Sequence, residues 1–185
     1  MERIASFTVD HNKLTPGLYY SRRDGDVVTF DLRFKKPNTG DLLTNSEMHS
    51  AEHLIATLLR NSEDKEAVVY FGPMGCQTGF YFLFDSALLR VSDAVELLKE
   101  VFSAAAAYTG EMPGASAVEC GNYINLDVEL GKAVCSFYAD LIRDWTEEQQ
   151  VGMTADCELS EDEFAAIRSY ATGLQYADRM LAKLV

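Results

Sequence analysis

The sequence predicts an α+β fold, a two-layer α/β arrangement in which a mostly antiparallel β-sheet packs against helices. Short strand-like segments, the clearest with apolar residues at alternate positions, occupy much of the first half of the chain. Longer stretches with helical periodicity lie between and after them. One of these helices, near the centre of the first hundred residues, carries an H-x-x-E-H motif.

Composition narrows the class of protein. The chain has 185 residues, 48% of them apolar, which fits one domain or one domain with an appendage. A net charge of −13 argues against nucleic acid and against anionic membranes as partners. No long apolar run and no signal-peptide segment is visible. We therefore expect a cytoplasmic protein whose four cysteines are thiols, metal ligands or nucleophiles rather than disulfides.

The first 35 residues of the chain contain three predicted strands. They are Ile4 to Val9, Leu18 to Ser21 and, after an Asp-Gly turn, Val27 to Lys35. In the last of these, alternate residues form an apolar core face, and Asp31 and Arg33 share the opposite face, which we expect to be exposed. On that basis Arg33 either pairs with Asp31 or binds a polar substrate. We also expect Arg33→Ala to cost only about 1 kcal/mol of stability or less.

A helix is predicted from Thr44 to Asn61. Thr44 and Glu47 form a capping box that starts it. His49 and His53 are four residues apart, so both imidazoles lie on one helix face and can bind one metal ion, with Glu52 beside them to move protons. The same pattern would also suit a solvated polar face. The predicted buried stripe consists of Met48, Ala51, Ile55, Leu58 and Leu59.

A glycine-rich loop follows this helix, between predicted strands at Ala67 to Phe71 and Phe80 to Phe84. It contains three glycines, which we expect to supply positive φ angles, and Cys76 near its tip. Cys76 is either an exposed thiol whose pKa a nearby cation lowers or a buried structural thiol. The residues around the loop leave both interpretations open.

The second half of the chain is mainly helical. Helices are predicted from Ser92 to Tyr108, with Gly110 as C-cap, and from Asp127 to Trp145. The buried side of the second helix is predicted to include Leu130, Val134, Phe137, Leu141 and Ile142, with Cys135 in the core. We expect a catalytic domain at 1–145. A linker and a helix from Ser160 to about Leu184 would form an extension, 146–185, packed on the same domain.

Two histidines leave a metal ion with too few ligands, because catalytic sites usually have three protein ligands and an open position. Cys120, which precedes Gly121 in a predicted turn, can supply a soft thiolate. One sulfur and two nitrogens suit Fe(II), Zn(II) or Co(II) rather than magnesium or calcium.

Five segments in this order resemble one known family, the S-ribosylhomocysteine lyases (LuxS). They are Ser6-Phe7-Thr8-Val9-Asp10-His11, Phe30-Asp31-Leu32-Arg33-Phe34 with Pro37-Asn38, His49-Ser50-Ala51-Glu52-His53-Leu54, Pro73-Met74-Gly75-Cys76-Gln77-Thr78-Gly79-Phe80-Tyr81 and Cys120-Gly121. The resemblance covers roughly residues 5 to 135.

The resemblance implies one divalent metal per chain, Fe(II) with zinc or cobalt as substitutes, in sites at a homodimer interface. The implied metal ligands are His49, His53 and Cys120, the acid/base pair is Glu52 and Cys76, and the substrate contacts are Ser6, His11 and Arg33. The family's reaction moves a ribose carbonyl through enediolates and then eliminates homocysteine. This leaves 4,5-dihydroxy-2,3-pentanedione, a quorum-sensing precursor. Metal and proton-transfer groups suit that chemistry.

Three positions depart from the family pattern: Tyr70, Lys35 and Leu126 stand where an acidic residue, a cysteine and a histidine are usual. The changes at Tyr70 and Lys35 favour one alternative, a metal-binding homologue with impaired catalysis. A second alternative is a zinc peptidase of the H-x-x-E-H type, with Glu119 or Glu129 as third ligand.

Overall fold

A computed structural model describes residues 9–145, which form a four-stranded antiparallel sheet and three helices. The sheet order is β1-β2-β4-β3. The strands are β1 (Gly17–Asp24), β2 (Val27–Arg33), β3 (Val68–Pro73) and β4 (Gly79–Asp85), and the helices are α1 (Asn45–Leu59), α2 (Val91–Ala106) and α3 (Val128–Ile142). The predicted α+β fold is therefore confirmed. Ser6, nearly all of the predicted first strand, and the predicted linker and last helix lie outside the described residues.

One face of the sheet and the helices enclose an aromatic core. Phe30 of β2 contacts Phe84 of β4 edge-on at a centroid distance of 5.0 Å. Phe34 stacks on Tyr138 of α3 at 3.9 Å, and the Tyr138 hydroxyl donates a hydrogen bond to the Gly17 carbonyl at 2.9 Å. These contacts connect α3 to the edge strand, and buried aromatic surface of this size dominates core energetics.

The second face of β2 is also buried, contrary to the sequence prediction. Thr29 is 3% exposed and Arg33 is 1% exposed. The side chain of Asp31 is 14% exposed and pairs with Arg33, with Nη2 donating to Oδ2 at 2.5 Å. Strand alternation predicts which residues share a face, but it does not say whether that face is covered. The prediction that Arg33 points into solvent is therefore wrong.

Helix α1 begins as predicted. The Thr44 hydroxyl accepts from the Glu47 backbone N–H, and the Glu47 carboxylate accepts from the Thr44 N–H at 2.7 Å, which completes the capping box. Of the predicted stripe, four residues are buried and Leu58 is partly buried, whereas Leu54 and Ser50 are additional buried positions. Helix α2 ends at Ala106 with Ala107 as C-cap, so the Gly110 prediction is wrong.

Helix α3 is rotated relative to the prediction. Leu130 and Phe137 are 39% and 50% exposed. Val134, Cys135 and Ile142 are buried as predicted, and Gly131 and Tyr138 are additional buried positions. The reason is the close packing of α3 on α1: a Cβ at Gly131 would lie 3.0 Å from the Ser50 carbonyl oxygen. Glycine at that position allows the two helices to approach, which the apolar pattern alone did not predict. Within residues 9–145, no helix is long and apolar enough to cross a membrane.

Candidate metal centre and thiol cluster

Helix α1 and the loop before α3 bring together three side chains that could bind a metal ion. The His49 and His53 rings lie at a centroid distance of 4.7 Å on one face of α1, as their spacing predicts. Cys120 comes from the distant loop, and its Sγ lies 3.3 Å from His49 Nε2. One ligand atom from each of the three residues lies within 4.8 Å of the others. We refer to His49, His53 and Cys120 as the metal-ligand group.

Hydrogen bonds on the far side of each imidazole fix its orientation. His49 Nδ1 lies 2.9 Å from Asn125 Oδ1, and His53 Nδ1 lies 2.9 Å from the Pro113 carbonyl oxygen. Because both partners are acceptors, each Nδ1 carries the proton and each Nε2 presents a lone pair. This is the arrangement that a metal-binding histidine requires. Asn125 and Pro113 carried no signal in the sequence analysis, since both lie at least 60 residues away from their histidines.

The loop that carries Cys120 is attached to α1 at several points. Ser46 Oγ donates to the Asn125 carbonyl at 2.6 Å, and the Asp127 N–H donates to Ser50 Oγ at 2.9 Å. Gly114 has a φ of +66°, and a Cβ there would lie 3.0 Å from His53 Nδ1. A side chain at this position would be strained and would crowd His53.

The donor set fits a divalent transition metal. In a tetrahedral site with bonds of about 2.0–2.3 Å, ligand atoms lie roughly 3.3–3.6 Å apart. The sulfur-to-nitrogen distance of 3.3 Å is within that range. One sulfur and two nitrogens leave a fourth position open and favour Fe(II), Zn(II) or Co(II) over hard cations. The metal-ligand group could therefore hold such an ion.

Glu52 lies on α1 between the two histidines in sequence. Burial raises the pKa of its half-buried carboxyl, and the neighbouring charges of His53 and His49 oppose that rise. Among residues 9–145, its side chain is engaged in no hydrogen bond or ion pair. A carboxylate with a raised pKa and no structural partner is available for proton transfer.

Cys76 lies in the turn between β3 and β4, next to the end of β2. Its exposed sulfur is 3.0 Å from Thr78 Oγ1 and 3.8 Å from Arg33 Nη1. Arg33 in turn donates to Thr78 Oγ1 at 2.5 Å, and its other nitrogens bind the Asp31 carboxylate. We call Cys76, Thr78, Arg33 and Asp31 the thiol cluster.

The thiol cluster favours the thiolate. Desolvation alone would raise the pKa of Cys76, but the hydrogen bonds to Thr78 and the positive charge of Arg33 outweigh it, so the pKa of this thiol is lowered. Of the two interpretations of Cys76, the structure supports the exposed thiol with a lowered pKa. The cause is a buried guanidinium and a hydroxyl. The positive φ in this turn belongs to Gln77, at 61°, and to none of the turn's three glycines, which corrects the prediction for the glycines.

The remaining predicted residues lie in different places. His11 is close enough to lower the pKa of Asp31 through its charge, although burial raises that pKa overall. Tyr70 is half-exposed on β3, and Lys35 pairs with Asp41 at the surface at 2.9 Å. Both candidate third ligands of a peptidase are engaged elsewhere: Glu119 accepts from Ser116 and Glu129 pairs with Lys132.

Fold and site together define an α+β protein with a His/His/Cys group that could hold a metal ion and a thiol with a lowered pKa. A family model described as S-Ribosylhomocysteinase (LuxS) matches residues 4–151. The chain belongs to this family.

Relatives from several bacteria support the same membership. An S-ribosylhomocysteine lyase of Clostridium beijerinckii is 45% identical over 157 residues, which cover 82% of this chain and 98% of the relative. One from Desulfotalea psychrophila is 47% identical over 143 residues, covering 75% and 89%. One from Clostridium acetobutylicum is 48% identical over 135 residues, covering 70% and 85%. The peptidase alternative therefore has no support.

Proposed function

We propose that this protein is an S-ribosylhomocysteine lyase that releases homocysteine and 4,5-dihydroxy-2,3-pentanedione. The observation that carries the proposal is the metal-ligand group, in which Cys120 meets His49 and His53 although it lies 71 residues from His49 in sequence. Membership of the LuxS family and relatives named for this activity support the substrate.

The proposed site uses residues from both clusters. His49, His53 and Cys120 are the proposed metal ligands, and a bound ion, Fe(II) in our proposal, supplies Lewis-acid stabilisation of negative charge on substrate oxygens. Cys76 enters as a thiolate and removes or returns protons at the sugar carbons. Glu52, whose carboxyl has a pKa raised by burial, exchanges protons with substrate oxygens.

Substrate binding is assigned to three polar residues, of which Ser6 lies outside the described residues. We propose Ser6, His11 and Arg33 as substrate contacts. The charge effect of His11 on Asp31 supports its proximity to Arg33. Arg33 offers the guanidinium geometry that suits sugar hydroxyls and carboxylates. Its burial means that any contact is made from a fixed position beside Cys76.

We further propose a homodimer whose two copies share each site. Within residues 9–145, no hydrogen bond or ion pair connects the thiol cluster to the metal-ligand group or Glu52, which fits a site completed by a second copy. A catalytic domain at 1–145, an extension that packs on it, a cytoplasmic location and a role in autoinducer synthesis and the methyl cycle stay predictions of the sequence.

Thiol release from S-ribosylhomocysteine by the anaerobically purified, metal-analysed protein tests the function. We expect homocysteine release by the wild type and none above background by Cys76→Ala, which should keep its metal. With cobalt bound, Cys120→Ser should lose the thiolate-to-metal charge-transfer band, whereas Cys76→Ala should retain it.

Other outcomes would contradict specific parts of this proposal. Loss of metal in Cys76→Ala would show that the two cysteines have been assigned the wrong roles. A wild type that binds metal stoichiometrically but releases no homocysteine would favour the impaired homologue, to which Tyr70 and Lys35 point.

A further inference from the structure

Thr78 is the one member of the thiol cluster that touches both Arg33 and Cys76 closely and to which the family resemblance assigns no role. It is 3% exposed. Its backbone carbonyl accepts from the N–H groups of Phe34 and Lys35, at 2.9 and 3.0 Å. These bonds fix Thr78 at the point where β2 ends and β4 begins.

Arg33 decides the direction of one of the two hydrogen bonds at the Thr78 hydroxyl. A guanidinium has five N–H donors and no acceptor, so in the 2.5 Å contact between Nη1 and Oγ1 the threonine oxygen must accept. A hydroxyl has a single proton to donate. Among residues 9–145, the other polar side-chain atom bonded to Thr78 Oγ1 is Cys76 Sγ at 3.0 Å. A thiolate has no proton to donate, so when Cys76 is deprotonated the hydroxyl is the donor and the sulfur accepts.

We propose that Thr78 is a positioning residue for Cys76: its hydroxyl, held as an acceptor by Arg33, donates its proton to the Cys76 sulfur. The sulfur therefore enters the reaction as a proton acceptor in one fixed orientation. The proposal deepens the proposed function, because it rests on Cys76 being the proton-transfer group.

Distances show that the Thr78 hydroxyl lies closer to the sulfur than the Arg33 guanidinium does. Arg33 Nη1 is 3.8 Å from Cys76 Sγ, at the outer limit for a sulfur hydrogen bond, whereas Thr78 Oγ1 is 0.8 Å closer at 3.0 Å. Arg33 is itself fixed by Asp31, to which Nε and Nη2 donate at 3.1 and 2.5 Å. The four residues are therefore linked in series: Asp31 contacts Arg33, Arg33 contacts Thr78, and Thr78 contacts Cys76.

The charged and titratable groups around the sulfur are consistent with this arrangement. Arg33 is the cation that faces Cys76 from β2, with Asp31 behind it. Tyr81 faces it from β4 and has a pKa raised mainly by burial, so it stays neutral near pH 7. The lowered pKa of Cys76 agrees with a hydroxyl and a cation on one side and no anion in direct contact.

Alkylation of Cys76 by iodoacetamide as a function of pH tests the proposal without substrate. The full-length cobalt-loaded protein is used, and the Cys76 peptide is quantified by mass spectrometry, so that the other cysteines do not interfere. We expect Thr78→Val to raise the pH midpoint of alkylation by about one unit or more, since hydrogen bonds to charged groups are the stronger class. Thr78→Ser, which keeps the hydroxyl, should stay close to the wild type.

Gln77→Asn is the matched control. It changes the neighbouring residue while keeping a side chain that tolerates the positive φ at this position, and its midpoint should equal that of the wild type. The cobalt charge-transfer band reports folding in every variant. If Thr78→Val loses that band, Thr78→Ala, which leaves room for water beside Arg33, replaces it with the same expected shift.

An unchanged midpoint in the folded Thr78 variant would overturn the proposal, and so would a Thr78→Ser midpoint that moves as far as that of Thr78→Val. Homocysteine release adds a second readout: the acidic limb of kcat/KM should move to higher pH together with the thiol in Thr78→Val. If Thr78→Val shows the alkylation shift but the wild type releases no homocysteine, the proposed function is disproved and the role of Thr78 stands.

Discussion

The metal-ligand group and the thiol cluster are built in different ways. Two of the three residues of the metal-ligand group are neighbours on one helix, and the third comes from a loop that hydrogen bonds attach to that helix. The thiol cluster is built across strands, where Arg33 of β2 is paired with Gly79 of β4, next to Thr78. The histidines depend mostly on local helix geometry, whereas the thiol depends on sheet register and on a buried ion pair.

This comparison predicts different consequences of mutation. A change in the thiol cluster should cost stability, because it leaves buried charges without partners. A change in the loop around the metal-ligand group should mainly cost metal affinity, because it disturbs the orientation of ligands that are only partly buried.

The largest effect is expected from Arg33→Ala. It leaves Asp31, whose side chain is 14% exposed, without its counter-ion, and breaking a buried ion pair from one side costs about 3–5 kcal/mol. Because this pair is buried, the stability loss expected for Arg33→Ala is larger than the value of about 1 kcal/mol or less that the sequence predicted. Urea unfolding of the cobalt-loaded protein measures the loss.

The matched control for Arg33→Ala is Arg22→Ala, which removes a surface pair with Asp24 and should cost less than about 1 kcal/mol. If Arg33→Ala and Arg22→Ala lost equally little stability, the buried pair in the thiol cluster would not contribute to the stability of the fold. That result would contradict the expectation that mutations in the thiol cluster cost stability whereas mutations around the metal-ligand group mainly cost metal affinity.

Asn125→Ala is expected to lower metal affinity by about 10- to 100-fold, as removal of a hydrogen-bond partner of a metal-binding histidine typically does. The mutation removes the acceptor of His49 Nδ1–H. Competition for cobalt or zinc with a chelator of known affinity measures the change. Asn122→Ala serves as control, since only the backbone N–H of Asn122 contacts Cys120 Sγ, at 3.4 Å. Equal losses in the two variants would argue against the hydrogen bond to His49.

Gly114→Ala should cost about 1–2 kcal/mol of stability, because a side chain is forced into the left-handed region at φ +66°. The new Cβ also crowds His53 Nδ1, so metal affinity should fall with it. Gly121→Ala tests the same loop without either effect, since its Cβ would meet nothing within 4 Å. Thermal unfolding with and without metal separates the two losses. A Gly114→Ala protein as stable as Gly121→Ala would contradict the role given to Gly114.

The smallest effect is expected from Thr44→Ala, which removes the capping box of α1 at a cost of about 1 kcal/mol. Metal affinity should not change, because the helix interior, including Met48, Ala51 and Ile55, is held by the core. Denaturant unfolding and chelator competition measure the two quantities. A fall in metal affinity as large as that of Asn125→Ala would mean that the metal-ligand group depends on the start of the helix.

Local interactions explain which parts of the site the sequence predicted. The capping box and the spacing of His49 and His53 act within one or two helical turns, so they are encoded in adjacent residues. Cys120 was reached from the chemistry of an incomplete donor set and from the family resemblance. The structure brings it to His49.

The buried face of β2 and the partners of the site residues were decided by tertiary structure alone. Arg33 and Thr78 are 45 residues apart, and His49 and Asn125 are 76 residues apart. No periodicity in the sequence relates such positions, because their contacts arise only when the strands pair and the loop docks on α1. The sequence therefore determined the fold class and the histidine pair by short-range geometry. Long-range packing determined that Arg33 is buried, that Asn125 orients His49 and that Thr78 lies between Arg33 and Cys76.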